Sequence, residues 1–255
     1  MTALGRPRVH LRATDSTNLR ARELALAGAP HGTLVTAREQ TAGRGRQGRT
    51  WTAPPGRALL MSLVLREPPS RLPLLTAVAV SDVCGERAAI KWPNDVLLPK
   101  TGQVPGTSPE VGMARTGEVP GTSPEVGMRK VAGILVEGRP QERWAVVGIG
   151  LNVAVREEDF PEELRGRATG LGREPEEVEA VLAELLYALA ARFAAPDEAL
   201  AAWRERDALR GQQIAWNGGA GVADGIDADG RLRVLTPEGV VALDAGEVHL
   251  GTPPA

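Results

Sequence analysis

The sequence predicts an α+β protein: a large domain of strands and helices over residues 1–210, and a small C-terminal β-barrel over 211–255. Up to Leu209, apolar strand-like runs alternate with stretches of helical spacing. From Gly211 onward the chain becomes short β segments separated by turn residues. With 255 residues, 42% of them hydrophobic, the chain can bury one large core with a dependent small module beside it.

Residues 9–13 read as a strand, and Thr14-Asp15-Ser16-Thr17-Asn18 offers capping oxygens to a helix over 18–27 that stops at Gly28. Residues 33–37 are β-like and lead into a Gly/Arg loop. A nearly continuous apolar strand covers 58–65, and a helix follows over 72–84. Short strands at 89–91 and 96–98 flank a Pro-Asn-Asp turn, and further strands are expected at 130–136 and 145–153. Val178, Val181, Leu182, Leu185, Leu186, Leu189 and Phe193 keep helical spacing and are core positions. Pro196 breaks that run, and a second helix is expected over 197–209. The C-terminal strands are expected at 213–216, 221–223, 232–235 and 240–243, with turns at Asp229-Gly230 and Pro237-Glu238-Gly239.

One stretch fits no element. The run from Thr101 to Arg115 recurs almost unchanged from Thr116 to Lys130. Two copies are too few for a solenoid, and a Gly/Pro/Thr/Ser composition cannot bury a core. The expectation is a duplicated, mobile insertion at 101–130 in a hairpin loop, with Met113 and Met128 exposed.

Net charge is −2, so nothing global recruits nucleic acid or an anionic membrane. The single cysteine, Cys84, excludes an internal disulfide and a thiolate metal cluster. The three histidines, His10, His31 and His249, make a multi-histidine metal site a poor expectation, and these residues and Cys84 are expected to be non-catalytic. No apolar run approaches membrane-spanning length and no signal-peptide pattern opens the chain, so a cytoplasmic protein is expected. Among 30 basic residues, only Lys91, Lys100 and Lys130 are lysines. In a chain that uses arginine almost everywhere, a lysine suggests that a compact ammonium is wanted.

Lys91 and Lys130 fall in two of three strings that put polar groups where a core would not want them. Gly43-Arg44-Gly45-Arg46-Gln47-Gly48-Arg49-Thr50-Trp51 has no apolar residue before Trp51. Its glycines can turn backbone N–H groups toward a ligand, and its arginines are rigid forks for carboxylate or phosphate oxygens. Read alone, it is equally a solvated basic turn. The other strings are Lys91-Trp92-Pro93-Asn94-Asp95 and Lys130-Val131-Ala132-Gly133-Ile134-Leu135-Val136-Glu137.

These strings, with Asp15-Ser16-Thr17-Asn18 before them, Gln40, and then Gly148-Ile149-Gly150-Leu151-Asn152 and Gly225-Ile226-Asp227, resemble in order the biotin protein ligases. The resemblance covers nearly the whole chain. It implies a mixed-sheet catalytic domain of the class II synthetase type and an SH3-like C-terminal module. It further implies activation of biotin with MgATP to biotinyl-5′-AMP, then transfer to a lysine of a biotin carboxyl carrier protein.

Matching positions make Arg46, Lys130, Lys91 and Asp95 catalytic. They assign biotin to Ser16, Thr17, Asn18, Gln40, Gly43, Arg44, Lys130 and Gly133. ATP falls to Arg44, Arg46, Trp51 (stacking on adenine), Lys91, Asn94 and Asn152, with Mg²⁺ near Asp95 and Asn152. Asp95 is either a proton acceptor for the incoming lysine or a turn residue paired with Lys91. Trp92 reads as core, Gly148 and Gly150 as strand packing, and Ser16 and Thr17 as helix caps that also bind. Some members of the family carry an N-terminal winged helix. Here the pattern starts close to Met1, so no such module and no operator binding are expected, while dimers do occur in the family. The alternatives are a lipoate or acyl-protein ligase on a similar scaffold, and a non-enzymatic anion or nucleic-acid binder using the Gly/Arg loop.

Overall fold

The computed structural model describes residues 4–99, 127–139, 142–244 and 248–250. The insertion expected over 101–130 therefore lies mostly outside the described residues. Its last residues do not: strand β6 begins at Met128, which is half-buried and lines a cavity rather than being exposed.

Strands β1 (Arg8–Leu11), β2 (Leu34–Ala37), β3 (Ala58–Arg66), β4 (Ala89–Lys91), β5 (Asp95–Pro99), β6 (Met128–Arg139) and β7 (Trp144–Asn152) make a seven-stranded sheet. Their order is β1-β2-β3-β7-β6-β5-β4. Helix α1 (Thr17–Leu26) is the crossover that lets β1 and β2 run parallel; all other neighbours are antiparallel. The sheet is mixed, as expected.

Both faces of the sheet are covered, which is why β3 reads as an unbroken apolar run. Its Leu59, Met61, Leu63 and Leu65 enter the main core with helix α2 (Leu72–Cys84) and helix α3 (Val178–Ala194). Val64 packs on the other face with Ala21 and Ala25 of α1. Helix α2 is sandwiched between the sheet and the pair α3 and α4 (Pro196–Glu205), so it is buried along most of its length. Asp82 on α2 ties the helices together, accepting from Arg192 at 2.7 Å and Arg206 at 2.7 Å. Burial pushes its carboxyl up, but the two guanidiniums outweigh that and hold it below the ordinary range.

The second of these helices was expected to reach Leu209 and ends at Glu205 instead. Strand β4 explains the early stop, because its outer edge needs partners. Ile90 N–H donates to the Arg206 carbonyl at 2.7 Å and Ala208 N–H to the Ile90 carbonyl at 3.0 Å.

The C-terminal strands β8 (Gln213–Trp216), β9 (Gly219–Ile226), β10 (Leu232–Thr236), β11 (Gly239–Leu243) and β12 (Val248–Leu250) form a five-stranded antiparallel sheet, ordered β11-β10-β9-β8-β12. Strand β9 is longer than expected, and β12 was not anticipated. The small sheet shares the main core through Ile214, Ala223, Leu232, Val234 and Val248. Trp92 is buried and donates from Nε1 to the Gly230 carbonyl at 3.1 Å. It is thus the core residue expected, and also the dock for the C-terminal module.

Candidate active site

The site lies on the α1 face of the sheet, over β6 and β7, in a cavity of about 570 Å³. Three glycines clear its floor. Gly133 and Gly150 face each other across β6 and β7. The Trp51 indole lies across them, so that a Cβ on Gly150 would come within 2.4 Å of the ring. A Cβ on Gly148 would meet Asn18 Oδ1 at 2.0 Å, which lets the start of α1 sit directly on the strand. Strand packing, expected for Gly148 and Gly150, is thus a close approach by two site residues.

Lys130 reaches this face because β6 carries a bulge. Val96 pairs with Ala132 but Leu97 pairs with Lys130, so Val131 is an extra residue. Val131 and Ala132 both enter the core, and Lys130 turns to the opposite side. There its Nζ is 2.7 Å from Asp95 Oδ1 and 5.8 Å from the centroid of Trp51, in cation–π range. The structural partner expected for Asp95 was Lys91, which opposes it in strand register; Asp95 forms its ion pair with Lys130.

The Gly/Arg string folds as a hairpin. Arg44 bridges Thr50, Trp51 N–H donates to the Gly43 carbonyl at 2.9 Å, and the tip is a 3₁₀ turn over Arg46–Gly48. Gly45 N–H donates to the Arg49 carbonyl at 2.7 Å, so this amide closes the hairpin and does not turn to a ligand as expected. Gly43, assigned to biotin from the resemblance, is not among the residues that line the cavity; a Cβ there would come within 2.3 Å of the Trp51 carbonyl oxygen. Arg46 reaches across to donate to Asn94 Oδ1 at 3.1 Å. Burial draws its guanidinium below the ordinary value, with Asp95 opposing and Arg49 adding to the shift. Asn94 is locked in turn, donating from Nδ2 to the Ile134 carbonyl at 3.1 Å.

The inner end is a buried polar network. Gln40 Oε1 accepts from Thr17 N–H at 2.7 Å and from the Thr17 hydroxyl at 3.0 Å. Asn18 accepts from the Ser62 hydroxyl at 2.6 Å and donates to Glu137 at 2.8 Å. Its amide therefore fastens α1 to the sheet. Ser16 occupies the helix N-cap position without a side-chain cap bond, so capping does not engage its hydroxyl.

Ser16, Thr17, Asn18, Gln40, Arg44, Arg46, Trp51, Lys91, Asn94, Asp95, Lys130, Gly133 and Asn152 all line the cavity, from strings scattered across the first 152 residues. Arg49 and Arg167 line it too, so among the described residues cations outnumber the one acid, Asp95. Trp51 Nε1 and Asn152 Oδ1 are buried without a hydrogen-bond partner among the described residues. Such orphans inside a cavity mark places where a ligand can supply the missing partner. Sequence reasoning missed the wall made by Phe160, Leu164, Gly166, Arg167 and Ala168, and the approach of Val248 and His249 from β12. Trp51 packs against the apolar cluster of Ala58, Leu60, Val155, Phe160 and Ala168. Cys84 lies elsewhere, and burial pushes its thiol up to about 12, so it is no nucleophile. Among the described residues no helix is long and apolar enough to cross a membrane.

Residues 11–153 match the Biotin/lipoate A/B protein ligase family, and residues 211–251 match the biotin protein ligase C-terminal domain. The bifunctional ligase/repressor BirA of Bacillus subtilis is 31% identical over 97% of this chain and 75% of its own length. The biotin–[acetyl-CoA-carboxylase] ligase of Paracoccus denitrificans is 34% identical over 94% of this chain and 99% of its own. The solved biotin protein ligase of Aquifex aeolicus, in complex with biotin and ATP, superposes with a TM-score of 0.73 at 26% identity. It covers 96% of this chain and 99% of its own. Matches of this extent, through both the cavity-bearing sheet and the C-terminal module, establish that the chain belongs to the Biotin/lipoate A/B protein ligase family, among its biotin protein ligases.

Proposed function

We propose that this one cavity joins biotin to AMP and then passes the biotinyl group to a lysine of a carrier protein, the biotin carboxyl carrier of an acetyl-CoA carboxylase. The observation that carries the reading is the convergence of Arg46, Lys130 and Asp95 beside the polar pocket of Ser16, Thr17 and Gln40. Biotin is a nearly neutral bicycle held by hydrogen bonds and apolar walls, with one carboxylate on a flexible tail. The Ser16–Thr17–Gln40 end suits the ureido ring, and the tail then runs over Trp51 toward Lys130. At the far end, Trp51 and the Phe160–Leu164–Ala168 wall offer adenine an apolar slot.

Adenylation brings a carboxylate against the α-phosphorus of ATP. The work is to align two anions and neutralise the charge that develops. Lys130, Arg46 and Arg44 supply cations there, and Lys91 a further one. Asn94 holds the Arg46 guanidinium in place. Asp95 keeps Lys130 at the cavity until an anion replaces it as counterion. Relieved of Lys130, its carboxylate is available for the second step. A free lysine, with a pKa of about 10.4, arrives protonated, and Asp95 accepts that proton as the amine attacks the mixed anhydride.

Asp95 and Asn152 Oδ1 are the oxygen donors that fit Mg²⁺, which takes one or two carboxylate or carbonyl oxygens beside phosphate and water. Bound there, Mg²⁺ would neutralise phosphate charge. Incubation with ATP and either biotin or lipoate, followed by mass spectrometry of the acyl-adenylate, tests the assignment. Biotinyl-AMP is expected, and lipoyl-AMP as the preferred product would overturn it.

A further inference from the structure

Glu157 does not line the cavity, yet its carboxylate holds two separate pieces of the wall. Oε2 takes the guanidinium of Arg129, the residue before Lys130 on β6. Oε1 accepts from Gly166 N–H at 2.6 Å, at the far end of the segment that carries Phe160 and Leu164. The main chain completes the tie. Lys130 N–H donates to the Arg167 carbonyl at 2.8 Å, and Thr169 N–H donates to the Lys130 carbonyl at 2.9 Å. Asp159 fastens the near side of the segment to Arg57 at 2.8 Å, which leaves Glu157, among the described residues, as the side-chain link to the strand of Lys130.

We infer that Glu157, acting through Arg129 and Gly166, is a positioning residue for the nucleotide: it sets the Phe160–Ala168 wall against the Lys130 strand before adenosine arrives. The inference rests on the reading of the cavity given above. A segment already closed on itself loses less conformational freedom when a ligand fills it, so the gain appears in nucleotide affinity. Biotin is held chiefly by its ureido ring at the Ser16–Thr17–Gln40 end, away from this wall, and only its tail reaches Lys130, so its affinity changes little. An ordinary surface ion pair would behave differently: with Glu157 45% exposed it would contribute little, and equally to both substrates.

The test uses the full chain and follows pyrophosphate release with biotin and ATP. Glu157→Ala should raise KM for ATP about tenfold, in line with loss of charge-assisted bonds. Its Kd for biotin, measured by calorimetry without nucleotide, should stay within about twofold of the parent, as expected where no biotin contact is touched. Glu157→Gln keeps an acceptor for Gly166 but loses the charge facing Arg129, and should fall between. Arg129→Ala should also raise KM for ATP, and the double variant should be no worse than Glu157→Ala.

An unmoved KM for ATP in Glu157→Ala overturns the inference. So do additive effects in the double variant, or a parallel loss of biotin affinity with a lowered melting temperature. A parent protein that releases no pyrophosphate refutes the functional reading and this inference with it, whereas an active parent with an unmoved KM refutes the inference alone.

Discussion

Lys130 Nζ and Asp95 Oδ1 lie 2.7 Å apart across neighbouring strands, and each side chain keeps part of its surface open to the cavity. A contact so placed is exchangeable, and it gives the two residues opposite roles in the two half-reactions. Asp95→Asn keeps a carbonyl oxygen for Mg²⁺ but cannot accept a proton, so it should leave adenylation within a few-fold while slowing transfer from preformed biotinyl-AMP about a hundredfold, the usual size of a lost proton acceptor. Single-turnover transfer to a carrier domain measures this. Unchanged transfer would reduce Asp95 to a tether for Lys130.

Arg46→Ala should slow adenylate formation by about 2–4 kcal/mol of transition-state stabilisation, the range for loss of one preorganised donor to developing negative charge. Asn94 would also lose the guanidinium its Oδ1 accepts from. Pyrophosphate release at saturating biotin and ATP is the readout, and parental rates would remove Arg46 from the chemistry.

Gly150→Ala should displace the indole, since the added carbon would come within 2.4 Å of the Trp51 ring. Overpacking of this kind costs about 1–3 kcal/mol. A lowered denaturation midpoint together with weaker biotin binding is expected. A variant with parental stability and affinity would mean that Trp51 moves freely off the strands.

Asp207, in the segment that covers β4, is pushed up to about 6, chiefly by burial; Leu209 and Arg210 N–H bonds oppose the shift. Its Oδ2 is buried without a hydrogen-bond partner among the described residues. A raised folded-state value means that the native protein binds the extra proton. Stability from this group is therefore full below its unfolded value of about 3.9 and declines as pH rises to the folded value near 6. Asp207→Asn keeps an acceptor for Leu209 N–H and removes the titration. It should be more stable than the parent at pH 7.5 by roughly 1–3 kcal/mol, with that advantage shrinking toward pH 4. Urea denaturation at both pH values measures the difference, and a pH-independent difference would count against the buried carboxylate as its source.

Much of the site was legible because its residues violate core logic in short strings. Arginines and glycines without apolar neighbours, a Lys-Trp-Pro-Asn-Asp turn, and a lysine in an arginine-dominated chain all stand out before any fold is known. The longer strands and α2 were legible from apolar runs long enough to carry a period, whereas the mixed strand directions came only from the resemblance. The Phe160–Ala168 wall was not, because its short 3₁₀ turns have no period, so Phe160 and Leu164 look like scattered surface residues. Strand β12 is three residues long and carries no alternation to read. Glycines at 133 and 150 were visible, but the side chain that fills the space above them is set by a hairpin some eighty residues upstream of the first.

The extra residue at Val131 also bears on how this chain tolerates change. Downstream of it, the pairing of Ala132 through Arg139 with β7 fixes which side chains are buried. Upstream, the connection has doubled a segment from Thr101 to Arg115. The irregularity between the two sets the phase: it puts Val131 and Ala132 on one side and leaves Lys130 on the other. A residue inserted between Lys130 and Val131, with the bulge kept, would turn the ammonium into hydrocarbon, whereas loss of Val131 alone would restore plain alternation and leave Lys130 facing the cavity.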